Sequence, residues 1–219
     1  MPDSKSILVT RPSFDPPTAY LAAWAELIVE EAREKGMKIG QLKGKEATRK
    51  MFEKRVESND PALIAFNGHG DPDCICGNNY EVLVKAGENE KILASRIVNS
   101  VSCNSAKVLG PKSVGAGAKA FIGFTEKFVL LFEQAHSATP RKDRTAEHFI
   151  KAVNSAPISL IKGNTVKDAF DKSQAAFEKS IEYFKTHYTP ENSHILFWLR
   201  YDKKIQKFLG DANATLSSC

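Results

Sequence analysis

Residues 63–71 have the sequence LIAFNGHGD, and this stretch decides the fold because an unbroken apolar run ends abruptly in glycines and polar residues. Such a run is typical of a strand that is buried on both faces of a sheet. Two similar runs precede it, at residues 7–9 and 39–42, with segments of helical spacing between them. Helices between buried strands act as right-handed crossovers, so we expect the strands to be parallel.

The elements predicted around this stretch complete an α/β fold. We expect a first helix that begins after Pro16-Pro17, with Thr18 as its N-cap, and ends at Gly36. The other expected elements are a helix at 48–58, strands at 98–102 and 120–124, a hairpin within 74–85, helices at 145–153 and 165–187, and an apolar segment at 193–209. The prediction is a mainly parallel sheet of five to six strands with helices on both faces, in a single domain over 1–210 with a flexible tail over 211–219.

Composition and charge exclude several classes of protein. The 219 residues suit one domain, and 42% hydrophobic with 26% charged residues is an ordinary globular balance. The net charge of +5 comes from 31 basic and 26 acidic residues spread along the chain, so we predict no nucleic-acid partner. No uncharged apolar run reaches the roughly 18 residues of a membrane span, so we predict no membrane partner. Four cysteines and an amino terminus without an apolar core favour the reducing cytoplasm.

Reactive side chains follow two of the predicted strands. His69 comes just after the run at 63–66, and Cys103 comes directly after the strand at 98–102. The carboxyl ends of parallel strands meet at one edge of the sheet, so the imidazole and the thiol are expected to face each other there. A nearby imidazolium stabilises the reactive thiolate, and the backbone amides of Gly70 and Cys103 could bind a developing oxyanion. This set suits acyl transfer at a peptide carbonyl and requires no cofactor.

Other residues near His69 allow less specific interpretations. Asp71 and Asp73 could hold the imidazole, although Asp-Pro-Asp is ordinary turn chemistry. Cys74 and Cys76 could join His69 and Cys103 in a zinc site, but the Cys-Ile-Cys spacing is shorter than that of structural zinc sites. Alternation along a strand would also put the two thiols on opposite faces, so we predict no metal.

Two segments carry a resemblance to a known family. The sequences IVNSVSCNSA at 97–106 and GAKAFIGF at 117–124, together with the His-Gly pair, resemble the caspase-like cysteine peptidases and are most similar to their CHAT-type group. The resemblance covers residues 5–132. It implies a caspase-like three-layer sandwich in which Cys103 is the nucleophile, His69 is the acid and base, and Gly70 supplies a backbone amide.

The resemblance also implies where a substrate side chain would bind. In such peptidases the specificity pocket is built from the ends of the first and fourth strands and from the segment after the fifth. These positions correspond here to Arg11, Val101 and Glu126, and Asp71 is a further candidate. The one base and one acid at the three strand-end positions leave the preferred substrate residue open.

The sequence departs from the caspase pattern in two ways. The Gln-Ala-Cys motif is absent, and His69 precedes Cys103 by 34 positions instead of about 50. Metacaspases carry an acidic residue two positions before the cysteine, where Val101 stands here. Neither the aspartate specificity of caspases nor the Arg or Lys specificity of metacaspases is therefore expected to carry over.

The favoured function is a cysteine endopeptidase that acts on a protein or peptide substrate, with a regulatory partner chain as a possible second partner. The alternative is a binding or scaffold module that keeps the caspase-like fold without turnover. A flavodoxin-like nucleotide-binding domain is a weaker alternative, because the residues after the first strand, TRPSF at 10–14, contain no glycine for a phosphate loop.

Overall fold

The computed structural model describes residues 1–219 as an α/β protein. The strands are β1 (Asp3–Arg11), β2 (Lys38–Lys43), β3 (Pro61–Asn67), β4 (Gly70–Asp71), β5 (Cys74–Cys76), β6 (Val82–Lys85), β7 (Ile97–Val101), β8 (Ala120–Phe124) and β9 (Gln206–Gly210). The helices are α1 (Pro16–Trp24), α2 (Glu26–Glu34), α3 (Arg49–Asn59), α4 (Leu109–Gly115), α5 (Arg144–Ile161), α6 (Val166–Thr186) and α7 (Ser193–Ile205).

The central sheet has six strands in the order β2-β1-β3-β7-β8-β9. The first five are parallel, and β9 adds an antiparallel strand at the β8 edge. The mainly parallel sheet of five to six strands expected from the sequence is thus confirmed. The strand runs at 63–66 and 98–102 correspond to β3 and β7, which are neighbours in the sheet.

Alternate side chains of the central strands feed two separate cores. Leu63 and Ala65 of β3 pack with α2, α5 and α6 on one face, while Ile64 and Phe66 pack with α3, α4 and the β5–β6 hairpin on the other. Every side chain of β3 is buried, which explains why its sequence shows no polar alternation. The result is a three-layer sandwich with helices on both faces.

A third core lies beyond the carboxyl edge of the sheet. It joins α1, α5, α6 and α7 with Val101 and Phe124, the last residues of β7 and β8. Phe128, Leu130, Leu131 and Phe132, in the segment that follows β8, are partly buried against it. This core therefore supports the edge at which the strands end.

The start of the first helix differs from the prediction. Asp15, not Thr18, is the N-cap: its side chain accepts from the Thr18 amide, and Thr18 Oγ1 accepts from the Asp15 amide. The helix is also interrupted at Ala25, so α1 and α2 are separate and α2 ends at Glu34. The helix predicted at 48–58 is confirmed as α3, with Thr48 as its N-cap.

The end of the chain is more ordered than predicted. Residues 206–210, expected only as part of an apolar segment, form β9. Residues 211–219, expected as a flexible tail, pack against β1 and β3, and Ala214, Leu216 and Cys219 are buried there. Their apolar side chains complete the core on the α2 and α5 face. Among the helices, none combines the length and apolarity that crossing a membrane requires.

Candidate active site

His69 and Cys103 border the same cavity, which has a volume of about 320 Å³ and lies at the carboxyl edge of β3 and β7. The register of the two strands brings their ends together, because Asn67 pairs with Val101. The Gly68 amide then donates to the Val101 carbonyl at 3.3 Å, which extends this contact by one residue toward His69. Parallel pairing therefore puts an imidazole and a thiol around one space.

Gly70 lies directly against the backbone of the cysteine turn. A Cβ at this position would come within 2.9 Å of the Ser102 Cβ and 3.0 Å of the Cys103 carbonyl oxygen, so only glycine fits. The Cys76 amide donates to the His69 carbonyl at 2.9 Å, which makes the adjacent pair of Gly70 and Ile75 a non-hydrogen-bonded pair of the β4–β5 ladder. The Gly70 amide is therefore not used by that ladder.

The His69 ring is held by a carboxylate that the sequence did not single out. Its Nε2 lies 2.6 Å from Asp15 Oδ2, and the ring stacks on Tyr80 with 4.8 Å between centroids. Burial opposes ionisation of Asp15, but hydrogen bonds from Thr18 and His69 outweigh it and hold the Asp15 pKa below its ordinary value. The ring thus faces a carboxylate on Nε2, which leaves Nδ1 for a substrate. Asp71 and Asp73, considered as partners of His69, do not occupy this position.

Cys103 lies in a tight turn between β7 and α4. Asn104 adopts a left-handed conformation (φ 57°), and its amide donates to the Glu126 carbonyl at 2.9 Å. Asparagine tolerates this conformation better than most residues, so the turn does not require glycine. The Cys103 amide donates to no other group of the protein, so it is free to bind an oxyanion.

The Cys103 thiol is partly buried and donates to the Phe128 carbonyl at 3.7 Å. Burial raises its pKa above the ordinary value, although the Phe128 hydrogen bond opposes this. The thiolate stabilised by an imidazolium that the sequence led us to expect stays a prediction. Burial removes the thiol from water and thereby favours its neutral form.

The segment after β8 forms the far wall of the cavity and is fixed by α7. The Val129 amide donates to Asp202 Oδ1 at 3.1 Å, and the Thr125 amide donates to the Ile205 carbonyl at 3.0 Å. Asp202 is fully buried, and its Oδ2 has no hydrogen-bond partner. Burial raises its pKa to about 8.

The structure brings only one of the four predicted substrate-binding side chains to the cavity. Val101 lines it. Arg11 is turned away and is engaged by Glu26, Gln41 and the Ala22 carbonyl. The prediction placed Arg11 by the end of β1 alone, whereas its long side chain reaches back toward α1 and β2.

Glu126 and Asp71 are exposed and do not line the cavity either. The Glu126 carboxylate is paired with Lys107 at 3.4 Å, on the solvent side of the turn. Asp71 ends the short strand β4 and faces solvent. In place of these three, the cavity is lined by the neighbouring residues 127–130 and by Leu21 of α1.

The other cysteines do not line the cavity. Cys74 and Cys76 are buried in the β5–β6 hairpin, and burial raises the pKa of Cys76 to about 12. Cys219 is buried in the core beside β3. No three His, Cys, Asp or Glu side chains lie close enough together to hold a metal ion.

Two residues of the site were missed in the sequence, and each had a signal. Asp15 precedes Pro16 and Thr18, an arrangement that fits an N-cap at the aspartate as well as one at the threonine. Asp202 follows Ile195 and Leu199 at helical spacing, which puts it on the apolar face of α7. Neither signal identifies the partner across the fold.

Comparison with known proteins gives a fold and no closer relationship. By sequence, the chain matches no protein-family model and no curated protein. By structure, it is similar to the gingipain RgpB of Porphyromonas gingivalis in the complex of its pro- and mature domains, with 11% identity over 95% of this chain and a TM-score of 0.65. It is also similar to the Arg-specific cysteine proteinase gingipain R, with 12% identity over 96% of this chain and a TM-score of 0.65.

The chain spans about half the length of these neighbours, 47% in both cases. At such low identity the similarity establishes the fold alone. The six-stranded sheet with helices on both faces is accordingly the caspase-like sandwich found in gingipains.

Proposed function

We propose that this protein is a cysteine endopeptidase of caspase-like fold that uses Cys103 and His69. The observation that carries the proposal is that these two residues, from neighbouring strand ends, border one cavity. Three further features support it: Asp15 holds the imidazole, Gly70 packs against the cysteine turn, and the Cys103 amide has no acceptor. Gingipain R, a cysteine proteinase by its name, shares the fold.

The reaction begins from a neutral thiol. As Cys103 Sγ attacks the carbonyl carbon of the scissile bond, the thiol proton passes to His69. The Gly70 and Cys103 amides donate to the oxyanion that forms, and loss of one such donor typically lowers the rate by about 10²- to 10³-fold. Asp15, bound to Nε2, stabilises the positive charge that the ring then carries.

Breakdown of this intermediate uses the same proton. His69 gives it to the nitrogen of the leaving amine, the carbon–nitrogen bond breaks, and a thioester between the acyl group and Cys103 remains. His69 next takes a proton from a water molecule that attacks the thioester. The carbon–sulfur bond breaks, the acid product leaves, and the thiol regains its proton from His69. No step needs a cofactor.

Within the caspase-like fold, we assign the chain to the CHAT-type group. The sequences at 97–106 and 117–124 support this assignment, because they include the cysteine turn and β8. The protein or peptide substrate and any regulatory partner chain are part of the same proposal, as is a cytoplasmic location.

Replacement of the two reactive residues tests the activity. Cys103→Ala and His69→Ala are expected to lower peptide cleavage by at least about 10³-fold, because each removes a group that takes part in every step. Cys219→Ala and His136→Ala are the matched controls, since Cys219 lies in the core away from the cavity and His136 lies in an exposed loop. Unchanged cleavage in the first pair of variants contradicts the proposal.

The alternative, a binding module without turnover, is favoured by one observation: the thiol is partly buried and donates to the Phe128 carbonyl. Labelling with a peptide acyloxymethyl ketone separates the two functions. A peptidase is expected to lose its Cys103 thiol to this probe in a reaction that His69→Ala slows. A module that only binds is expected to react no faster than a denatured control.

A further inference from the structure

The cavity beside Cys103 is mainly apolar. Its lining consists of Pro17, Thr18, Leu21, Gly68, His69, Val101, Cys103, Lys127, Phe128, Val129 and Leu130. Apart from the two reactive residues, the only titratable side chain among these is Lys127. No carboxylate lines the cavity, and its volume of about 320 Å³ falls within the range of small ligand sites.

Three carboxylates around this lining are engaged elsewhere. Asp15 holds His69, and Glu126 is paired with Lys107 on the outer side of the turn. Asp202 is fully buried behind the wall segment and accepts from the Val129 amide. A guanidinium or ammonium group entering the cavity would lose its water without gaining an opposite charge, and it would approach Lys127.

The geometry points to an apolar specificity site: we propose that the cavity receives a leucine-, methionine- or phenylalanine-sized side chain of the substrate. This inference rests on the proposed peptidase function. The side chain in question belongs to the residue whose carbonyl is attacked, because its Cα is bonded to that carbonyl carbon. This substrate side chain must therefore lie beside Cys103, whichever residue carries it.

Each wall of the cavity contributes in a way that favours such a side chain. Leu21 and Val101 form a buried apolar floor, with exposed fractions of 5% and 2%. Phe128 and Leu130 are only partly buried and keep apolar surface that a substrate side chain would cover. Burial of apolar surface on the substrate side chain and on the cavity favours binding. An acidic side chain could pair only with Lys127, and it would lose hydration that the cavity does not replace.

The substrate preference proposed for this cavity differs from the preference stated in the name of the structural neighbour. Gingipain R is described as Arg-specific, and recognition of arginine requires an acidic partner. Here the position two residues before Cys103 is Val101, and the two predicted acidic candidates, Glu126 and Asp71, are turned to solvent. The shared fold therefore supports a different side-chain preference.

Cleavage of a matched set of fluorogenic peptide amides tests the inference. The peptides share one sequence and differ only in leucine, phenylalanine, aspartate or arginine before the scissile bond. We expect kcat/KM for leucine and phenylalanine to exceed that for arginine by at least about 100-fold, with aspartate between them. Preference for arginine or aspartate overturns the inference while leaving the peptidase function intact.

Failure of the function itself gives a different result. If none of the four peptides is cleaved and the acyloxymethyl ketone leaves Cys103 unmodified, the peptidase proposal fails, and the apolar site fails with it. Binding of the four corresponding peptides to Cys103→Ala, followed by calorimetry, provides a readout that does not need turnover. Equal affinity for all four contradicts the apolar site.

A charge change at the rim sharpens the test. Lys127 is exposed and makes no ion pair, so Lys127→Glu is not expected to disturb the fold. We expect Lys127→Glu to reduce the ratio of kcat/KM for the leucine peptide to kcat/KM for the arginine peptide by about tenfold. The matched variant Lys127→Ala is expected to change this ratio less. A ratio that stays the same in a variant with an unchanged melting temperature shows that Lys127 does not face the bound side chain, which contradicts the site as described.

Discussion

The side of the cavity that holds His69 and the side that covers Cys103 shift the pKa values of their acidic groups in opposite directions. On the His69 side, Asp15 is partly exposed, and its hydrogen bonds to Thr18 and His69 hold its pKa low. On the Cys103 side, burial raises the pKa of both the thiol and Asp202. One side therefore preserves charge at neutral pH and the other suppresses it.

This difference gives the site a direction for proton transfer. A neutral thiol in an apolar wall is a weak nucleophile until its proton leaves, and the imidazole that Asp15 holds borders the same cavity and can accept that proton. The two carboxyl groups thus have opposite pKa shifts, because Asp15 lies at a helix start with several hydrogen-bond donors, whereas Asp202 is fully buried and has one donor.

The largest expected effect comes from breaking the contact between the two sides. Gly70→Ala would push the β4 backbone away from Ser102 and Cys103, since its Cβ would lie 2.9 Å and 3.0 Å from their atoms. We expect a loss of about 10²- to 10³-fold in kcat, because one oxyanion donor moves. Gly115→Ala is the control, since a Cβ there meets nothing within 4 Å. Activity assays of Gly70→Ala and Gly115→Ala test this prediction. Equal activity of the two variants would show that the His69 side and the Cys103 side do not act together.

A smaller loss is expected when the charged side is made neutral. Asp15→Asn keeps the oxygen that accepts from Thr18 but removes the negative charge beside His69 Nε2. We expect kcat to fall by about 10- to 100-fold with little change in KM, as for other residues that orient a functional histidine. Asp168→Asn, at the start of α6, is the control because it makes a similar contact with Thr165 far from the cavity. A change confined to KM would show that Asp15 acts on substrate binding instead.

The sequence predicts the strand framework and the meeting of His69 with Cys103 because both depend on local patterns. The continuous apolar runs of β3, β7 and β8 identify buried strands, and parallel strands must end at the same edge. Local sequence patterns do not determine which long side chain reaches the cavity. Arg11 ends β1 as predicted, yet Glu26 and Gln41 draw it away.

The contacts that set the two pKa environments join residues far apart in the chain. His69 and Asp15 are 54 positions apart, and Val129 and Asp202 are 73 apart. Periodicity puts Asp202 on the apolar face of α7, but it does not reveal that the Val129 amide is its only donor. The strand β9 was missed for a related reason: it has only five residues, its apolar run is limited to Phe208 and Leu209, and its pairing with β8 defines it.

The smallest effect is a change in how stability depends on pH, and it tests the uncharged side. The folded pKa of Asp202, about 8, lies above its ordinary value of 3.8, so between these pH values the folded state keeps a proton that the unfolded state has lost. The free energy of unfolding contributed by Asp202 is therefore full below about pH 4 and falls as the pH rises toward 8, by about 1.4 kcal/mol for each pH unit across that window.

Asp202→Asn removes this dependence while it keeps an oxygen for the Val129 amide. Relative to the unmodified protein, the variant is expected to gain at least about 1 kcal/mol in unfolding free energy when the pH is raised from 5 to 8. Urea denaturation at pH 5 and pH 8 measures the unfolding free energy of each protein. Asp211→Asn, which replaces an exposed carboxylate, is the control. A difference between variant and unmodified protein that stays constant with pH means that Asp202 is ionised in the folded state. In that event the wall behind Cys103 holds a charge, and the two sides of the cavity are electrostatically alike.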